Sequence, residues 1–197
     1  MRDETPLRAL IAEDAQTALR KDPAARTRLE VALTYPGVHA LWAHRVAHRW
    51  WQRGHFLAAR VLAAFARRHT GVEIHPAASI GRRVFIDHGM AVVVGETAVV
   101  GDDVTLFHSV TLGGTRAQAG RRHPHVGDRV VIGAGATVLG PIIIGDDARI
   151  GAGAVVLADV PARTTAVGVP ARTIEPGRAA APQSGGAQWE VDPGAWI

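Results

Sequence analysis

The chain has 197 residues and a formal net charge of +4, with 22 Lys and Arg against 18 Asp and Glu. Hydrophobic residues make up 47% and charged residues 20%, which allows a sizeable core and excludes wholesale disorder. Cysteine is absent, so disulfides, cysteine metal ligands and a cysteinyl acyl-enzyme intermediate are excluded.

The basic residues are scattered and do not form a stripe with interleaved aromatics, so we do not expect nucleic-acid binding. No run of 18 apolar residues is present, and the first residues lack an apolar signal region. We therefore expect a cytoplasmic protein without a membrane segment.

Residues 1–70 are predicted to form a small α-helical domain. Leu7 opens an amphipathic segment, and Pro23 stands where a second helix is expected to begin. A break at Pro36-Gly37 precedes apolar residues at helical spacing, and residues 56–65 form a fourth apolar stretch.

Residues 71–175 carry a six-residue repeat of aliphatic side chains. Its members are Ile74, Ile80, Ile86, Val94, Val100, Leu106, Leu112, Val126, Ile132, Val138, Ile144, Ile150 and Val156. Neither the helical nor the strand period explains this spacing, whereas a hexapeptide parallel β-helix does. Each aliphatic residue is expected to point into the axis of a solenoid.

Residues 176–197 are rich in Pro, Gly, Ala and Ser, a composition typical of a flexible tail. The tail ends in Trp196-Ile197 and also contains Trp189. Whether these side chains bind a partner or fold back onto the body remains open from the residues alone.

The repeat is interrupted twice. It slips by two residues around Asp87-His88, and fourteen residues separate Leu112 from Val126, so residues 114–125 are predicted to form an extruded loop. Insertions in repeat proteins commonly carry function. Both interruptions contain histidine, and we expect the functional groups there.

The motifs at these positions are DHG at 87–89, GGT at 113–115, RHP at 122–124 and GVPAR at 168–172. Over residues 71–173 the chain resembles bacterial serine O-acetyltransferases, which make O-acetyl-L-serine from L-serine and acetyl-CoA. The N-terminal part, with RKDPA at 20–24, resembles the short members of that family.

The resemblance implies an α+β fold, in which a short α-helical N-terminal domain is followed by a left-handed parallel β-helix and a flexible C-terminal tail. It also implies a homotrimer, or a dimer of trimers, with active sites between neighbouring solenoids.

Acetyl transfer to serine needs a general base, because a hydroxyl is a poor nucleophile near neutral pH; histidine suits this role. His88 is the candidate, and the resemblance implies Glu73 as the carboxylate that holds its tautomer, with Asp87 as a further acidic contact. Because cysteine is absent, we expect direct transfer from CoA to serine. The alternative, that Asp87-His88 is only a solvated corner, stays open.

The resemblance implies further binding residues. Asp22 and Asp87 would hold the serine ammonium, and Arg122 and His123 would contact the carboxylate. Residues expected to bind CoA or stabilise the oxyanion are Gly113, Gly114, Thr115, Ala134, Ala152 and Thr165. Two departures from the family pattern, His108 for glutamine and Arg116 for glycine, lie near the expected CoA path.

Regulation and partners are also implied by the resemblance alone. L-cysteine is expected as a feedback inhibitor at the serine site. The terminal Ile197 is expected to enter O-acetylserine sulfhydrylase, since a C-terminal carboxylate suits capture by backbone donors.

Two rival functions share the solenoid. One is an acetyltransferase for homoserine, a sugar or an antibiotic. The other is a carbonic anhydrase-like zinc enzyme, for which His108, His123 and His125 supply enough nitrogen ligands by count. The spacing of histidines in that enzyme family is absent, and we expect no metal.

Overall fold

The computed structural model describes residues 5–117 and 119–174; the predicted tail at 176–197, with Trp189, Trp196 and Ile197, lies outside them. Four helices come first: α1 (Leu7–Lys21), α2 (Arg28–Thr34), α3 (Pro36–Gln52) and α4 (Phe56–Thr70). Across the described ranges, no helix has the length and apolar character needed to cross a membrane.

Fifteen short strands follow the helices in the described ranges. They are β1 (Glu73–Ile74), β2 (Ser79–Ile80), β3 (Phe85–Ile86), β4 (Val93–Val94), β5 (Val99–Val100), β6 (Thr105–Leu106), β7 (Thr111–Gly113), β8 (His125–Val126), β9 (Val131–Ile132), β10 (Thr137–Leu139), β11 (Ile143–Ile144), β12 (Arg149–Ile150), β13 (Val155–Val156), β14 (Thr165–Val167) and β15 (Arg172–Ile174). His125, predicted to belong to the extruded loop, instead opens β8.

From β1 to β13, every third strand returns to the same sheet, and β14 and β15 then extend sheet C. Sheet A has the order β1-β4-β7-β10-β13, sheet B β11-β8-β5-β2, and sheet C β15-β14-β12-β9-β6-β3. The pairings are parallel except that β15 runs antiparallel to β14. The repeat residues fill the interior, and Leu112, Val126 and Ile132 are each 0% exposed. The predicted hexapeptide β-helix is confirmed.

Chain turns between the sheets form three edges, two of which matter here. The His88 edge joins sheet C to sheet A and consists of residues 87–92, 107–110, 133–136 and 151–154. The Arg122 edge joins sheet A to sheet B and includes residues 75–78, 95–98 and 114–124. Sheet A lies between the two edges.

The second helix does not begin at Pro23, so that prediction is wrong. Residues 23–24 form a turn, and α2 starts at Arg28. Thr27 caps it by accepting the Glu30 N–H, while the Glu30 carboxylate accepts the Arg26 N–H. Satisfying the free N–H groups of the first turn stabilises a helix start there.

Helix α3 packs directly on the first coil of the solenoid. A Cβ built on Gly37 would lie 2.1 Å from the Ile86 carbonyl oxygen, so only glycine permits this approach. Arg45 on the same helix donates to the Ile80 and Gly81 carbonyls at 2.6 and 2.7 Å. The first turn of α3 therefore lies against the corner that carries His88.

Candidate active site

His88 lies in residues 87–92, the longest turn of the His88 edge. The two-residue slip adds left-handed backbone at His88 and Gly89, with φ of 59° and 76°. This conformation costs a residue with a Cβ roughly 1 kcal/mol or more. The result is a His88 side chain that is 72% exposed.

Two side chains lie close to the His88 imidazole. The Asp87 Oδ2 is 3.7 Å from its Nε2. The His108 ring lies one coil further along the same edge, with ring centroids 5.7 Å apart and an edge-to-face geometry. His108 is thus a neighbour of the candidate base.

Glu73, predicted to orient His88, accepts a hydrogen bond from Arg67 at 2.8 Å in this structure. Both side chains of that ion pair are more than 40% exposed. Exposed pairs of this kind contribute little to stability and exchange readily. The Glu73–His88 dyad therefore stays a prediction.

The Tyr35 hydroxyl donates to Asp22 Oδ2 at 2.5 Å, and the Ala24 N–H donates to Asp22 Oδ1 at 2.8 Å. Burial, the bond to Asp22 and the negative charges of Asp22, Glu30 and Asp87 raise the pKa of Tyr35 to about 12. Asp22, predicted to hold an ammonium, thus accepts a hydrogen bond from this hydroxyl, and the negative charge of Asp87, predicted to share that role, also acts on it.

Sequence reasoning missed Tyr35. Its available signal was position, because it is the only tyrosine in the chain and directly precedes the helix-starting Pro36-Gly37.

Arg122 and His123 are held on the Arg122 edge by the turn beneath them. Arg122 forms an ion pair with Glu96, and this bond lowers the pKa of the Glu96 carboxyl. His123 is buried, and its Nδ1 lies 2.8 Å from Thr97 Oγ1. Burial and the neighbouring Arg122 lower the pKa of His123, against the opposing effect of Glu96.

One chain does not bring all the predicted substrate residues together. Asp87 and His88 lie on the His88 edge, whereas Arg122 and His123 lie on the Arg122 edge, across sheet A. Within one chain, the candidate base and the candidate carboxylate ligands are therefore separate half-sites.

The His88 edge offers an open track for an elongated ligand. Ser109, Gly135 and Gly153 each donate a backbone N–H to the coil below, to Met90, His108 and Ala134. Cβ atoms built on Gly135 and Gly153 would meet nothing within 4 Å.

The predicted CoA residues divide among three places. Ala134 and Ala152 lie on the open track of the His88 edge. Gly113 ends β7, and Gly114 and Thr115 follow it, exposed, on the Arg122 edge. Thr165 opens β14 in sheet C.

The three histidines of the rival zinc-enzyme hypothesis do not lie together. His108 and His123 lie on different edges, and His125 is an exposed residue of β8 in sheet B. Within residues 5–117 and 119–174, no three His, Cys, Asp or Glu side chains are placed to share a metal ion.

Comparison with known proteins gives a consistent set of similarities. Residues 123–158 match the family model described as bacterial transferase hexapeptide (six repeats). The serine acetyltransferase of Mycobacterium tuberculosis is 58% identical over 161 residues, which are 82% of this chain and 70% of that protein. The serine acetyltransferase of Helicobacter pylori is 58% identical over 159 residues, 81% of this chain and 93% of that protein.

Solved structures agree with the fold. Soybean serine acetyltransferase complexed with serine superimposes with a TM-score of 0.83 at 50% identity, covering 85% of this chain and 69% of that one. A serine acetyltransferase in complex with CoA gives a TM-score of 0.82 at 42% identity, covering 85% and 70%. A serine acetyltransferase in complex with cysteine gives a TM-score of 0.84 at 41% identity, covering 86% of this chain and 70% of that one.

Proposed function

Because the chain belongs to the serine acetyltransferase family, we propose that it transfers the acetyl group of acetyl-CoA to the hydroxyl of L-serine with His88 as general base. The observation that carries this proposal is the exposed His88 imidazole beside Asp87. It lies in the first turn of the His88 edge, which is open at Gly135 and Gly153 further along. Two relatives at 58% identity, both serine acetyltransferases, support the reaction.

The proposed reaction needs only the two substrates and groups of two neighbouring copies of this chain. His88 takes the proton from the serine hydroxyl as the oxygen attacks the thioester carbonyl. The tetrahedral intermediate collapses with cleavage of the C–S bond, and the imidazolium returns the proton to the CoA thiolate. Backbone N–H groups near Gly113-Gly114-Thr115 are the proposed donors to the oxyanion.

The two half-sites are proposed to meet between neighbouring chains. The His88 edge of one solenoid, together with Asp22 at the end of α1, would face the Arg122 and His123 corner of the next. Contacts of this heterologous kind, repeated by a three-fold rotation, join three chains into a closed ring with one site at each interface. Its support is the separation of the half-sites within one chain.

Ligands and partners follow from the same proposal. CoA would lie along the track at Ala134 and Ala152. L-cysteine, which a relative binds in its solved complex, would compete with serine because it carries the same ammonium and carboxylate. Binding of O-acetylserine sulfhydrylase through Ile197 and a cytoplasmic location remain our expectations.

The test is release of CoA thiol from acetyl-CoA with L-serine, L-homoserine and an amino sugar as acceptors. Highest kcat/KM with L-serine is expected, whereas a preference for the sugar would favour the rival acetyltransferase. His88→Ala should lower turnover by roughly 100-fold or more. His69→Ala, which alters an exposed histidine of α4, is the control; near-normal activity of His88→Ala would contradict the mechanism.

A further inference from the structure

Thr97 lies in the turn 95–98 beneath Arg122 and His123, and the mechanism above gives it no role. Its hydroxyl oxygen accepts the backbone N–H groups of Arg122 at 3.0 Å and His123 at 3.2 Å. The same oxygen lies 2.8 Å from His123 Nδ1. A hydroxyl has one donor hydrogen and two acceptor lone pairs, so these three bonds use its full capacity, with the hydrogen directed at Nδ1.

The backbone of Thr97 sets the tautomer of His123. Its N–H donates to His123 Nδ1 at 3.1 Å. A peptide N–H cannot accept, so Nδ1 must present a lone pair, and the neutral ring carries its proton on Nε2. Within residues 5–117 and 119–174 the Nε2 has no hydrogen-bond partner, which leaves this donor available to a ligand.

The corner also fixes the place and charge of the ring. A Cβ on Gly95 would lie 2.0 Å from His123 Nε2, so the ring rests on the bare glycine. A proton on Nδ1 would break the bonds from both the N–H and the O–H of Thr97. Glu96 holds the guanidinium of the adjacent residue Arg122 by an ion pair. Donor groups held on two consecutive residues can serve the two oxygens of a carboxylate.

We propose that Thr97 is a positioning residue for the serine carboxylate. It holds His123 as the neutral Nε2–H tautomer and pins the backbone of Arg122-His123, so that the corner prefers a carboxylate to a neutral amide. This inference rests on the proposed function, because it states how the same site recognises serine.

The kinetic test compares Thr97→Val, which keeps the side-chain shape and loses the hydroxyl, with Thr97→Ser, which keeps the hydroxyl. Thr97→Val leaves two backbone N–H groups without their acceptor, so we expect the KM for L-serine to rise about tenfold. The kcat and the KM for acetyl-CoA should stay within about threefold, and Thr97→Ser should behave as wild type.

The matched control is Thr137→Val in β10. Thr137 is also half-buried, and its hydroxyl makes no hydrogen bond in the part of the chain that the structure describes. Its KM for L-serine should stay at the wild-type value. A folded Thr97→Val with an unchanged KM for L-serine would overturn the proposal.

L-serinamide tests the selectivity for a carboxylate. The wild type should prefer L-serine to L-serinamide in kcat/KM, and this preference should fall about tenfold in Thr97→Val, since only the carboxylate contact is weakened. An equal loss for both acceptors would point to a purely structural role and contradict the proposal.

The tautomer is measured on the wild type, so the test does not depend on a variant that folds. Nitrogen-15 shifts of the imidazole, assigned by their loss in His123→Gln, should show a lone pair on Nδ1 and a proton on Nε2. A proton on Nδ1 would overturn the inference. Absence of serine-dependent thiol release from the wild type would contradict the proposed function, which is a separate result.

Discussion

His44 on α3 is the most deeply buried histidine in the part of the chain that the structure describes, at 4% exposure, and its Nδ1 has no hydrogen-bond partner there. Burial, and then the positive charges of His48, Arg45 and His75, hold the pKa of His44 well below its ordinary value of 6.5. The folded protein therefore keeps this ring neutral where an unfolded chain would protonate it.

We predict a loss of stability in mild acid from this residue. Below about pH 6.5 the unfolded chain binds a proton that the folded chain refuses, so the free energy of unfolding falls as pH falls, by at most about 1.4 kcal/mol per pH unit. Urea unfolding of wild type and His44→Leu between pH 7 and pH 5 should show a flatter pH profile for the variant. His69→Leu, at an exposed position, should keep the wild-type slope; a His44→Leu profile as steep as wild type would contradict the prediction.

At the residue scale the sequence singled out the candidate chemical groups, but not the residues that hold them in place. The slip in the repeat singled out Asp87-His88, and the insertion singled out Arg122-His123. Thr97 and Tyr35 could not be found this way. Thr97 is an ordinary member of a repeating turn, and its role arises only when the next coil places His123 over it, 26 positions later in the chain.

Helix α3 shows how an element is fixed in place by one charged side chain. Arg45 forms an ion pair with the buried Asp14 of α1 at 3.1 Å and also donates to the carbonyls of Ile80 and Gly81. It thereby joins two helices to the first coil. Burial raises the pKa of Asp14 in spite of this partner, so the carboxylate depends on the arginine for compensation.

We predict that Arg45→Met destabilises the protein by about 3–5 kcal/mol, because it leaves a buried carboxylate without its partner. Urea unfolding at pH 7 measures this loss. The double variant Arg45→Met with Asp14→Leu should recover part of it, since no buried charge then remains. A single variant within about 1 kcal/mol of wild type would show that the ion pair contributes little.

The elements were predictable to different degrees. The strands followed from the period of six, because each repeat residue had to point inward. The start of α2 did not follow, because Pro23 and Thr27 both resemble helix starts, and the bonds of Thr27 and Glu30 decide between them.

Each chain presents its proposed catalytic base and its proposed carboxylate ligands on different edges. The period of six predicts which side chains face the axis, but it gives no information about contacts with another chain. The resemblance implied active sites between neighbouring solenoids, and the sheet order adds which groups stand on which edge of one chain. The proposed shared site can therefore be tested in mixtures of variant chains.

We predict that two inactive variants complement each other. His88→Ala and Arg122→Ala should each be nearly inactive alone. After subunit exchange in an equal mixture, about a quarter of the sites should combine an intact His88 with an intact Arg122 from the neighbour. Thiol release at roughly that fraction of wild-type activity is the expected readout; no recovery from a mixture with proven exchange would place the whole site within one chain.

The loop that precedes Arg122 can change in length at little cost in folding free energy. Its first end is fixed by β7 and its second by the bonds of Thr97 to Arg122 and His123, while residues 114–117 and 119–121 are exposed. Doubling the length of such a closed loop costs only about 0.6 kcal/mol. The free energy of folding therefore depends little on the length of this loop. Its two ends carry the proposed oxyanion donors and the proposed carboxylate ligands, and both ends can keep their places if residues 119–121 between them are lengthened.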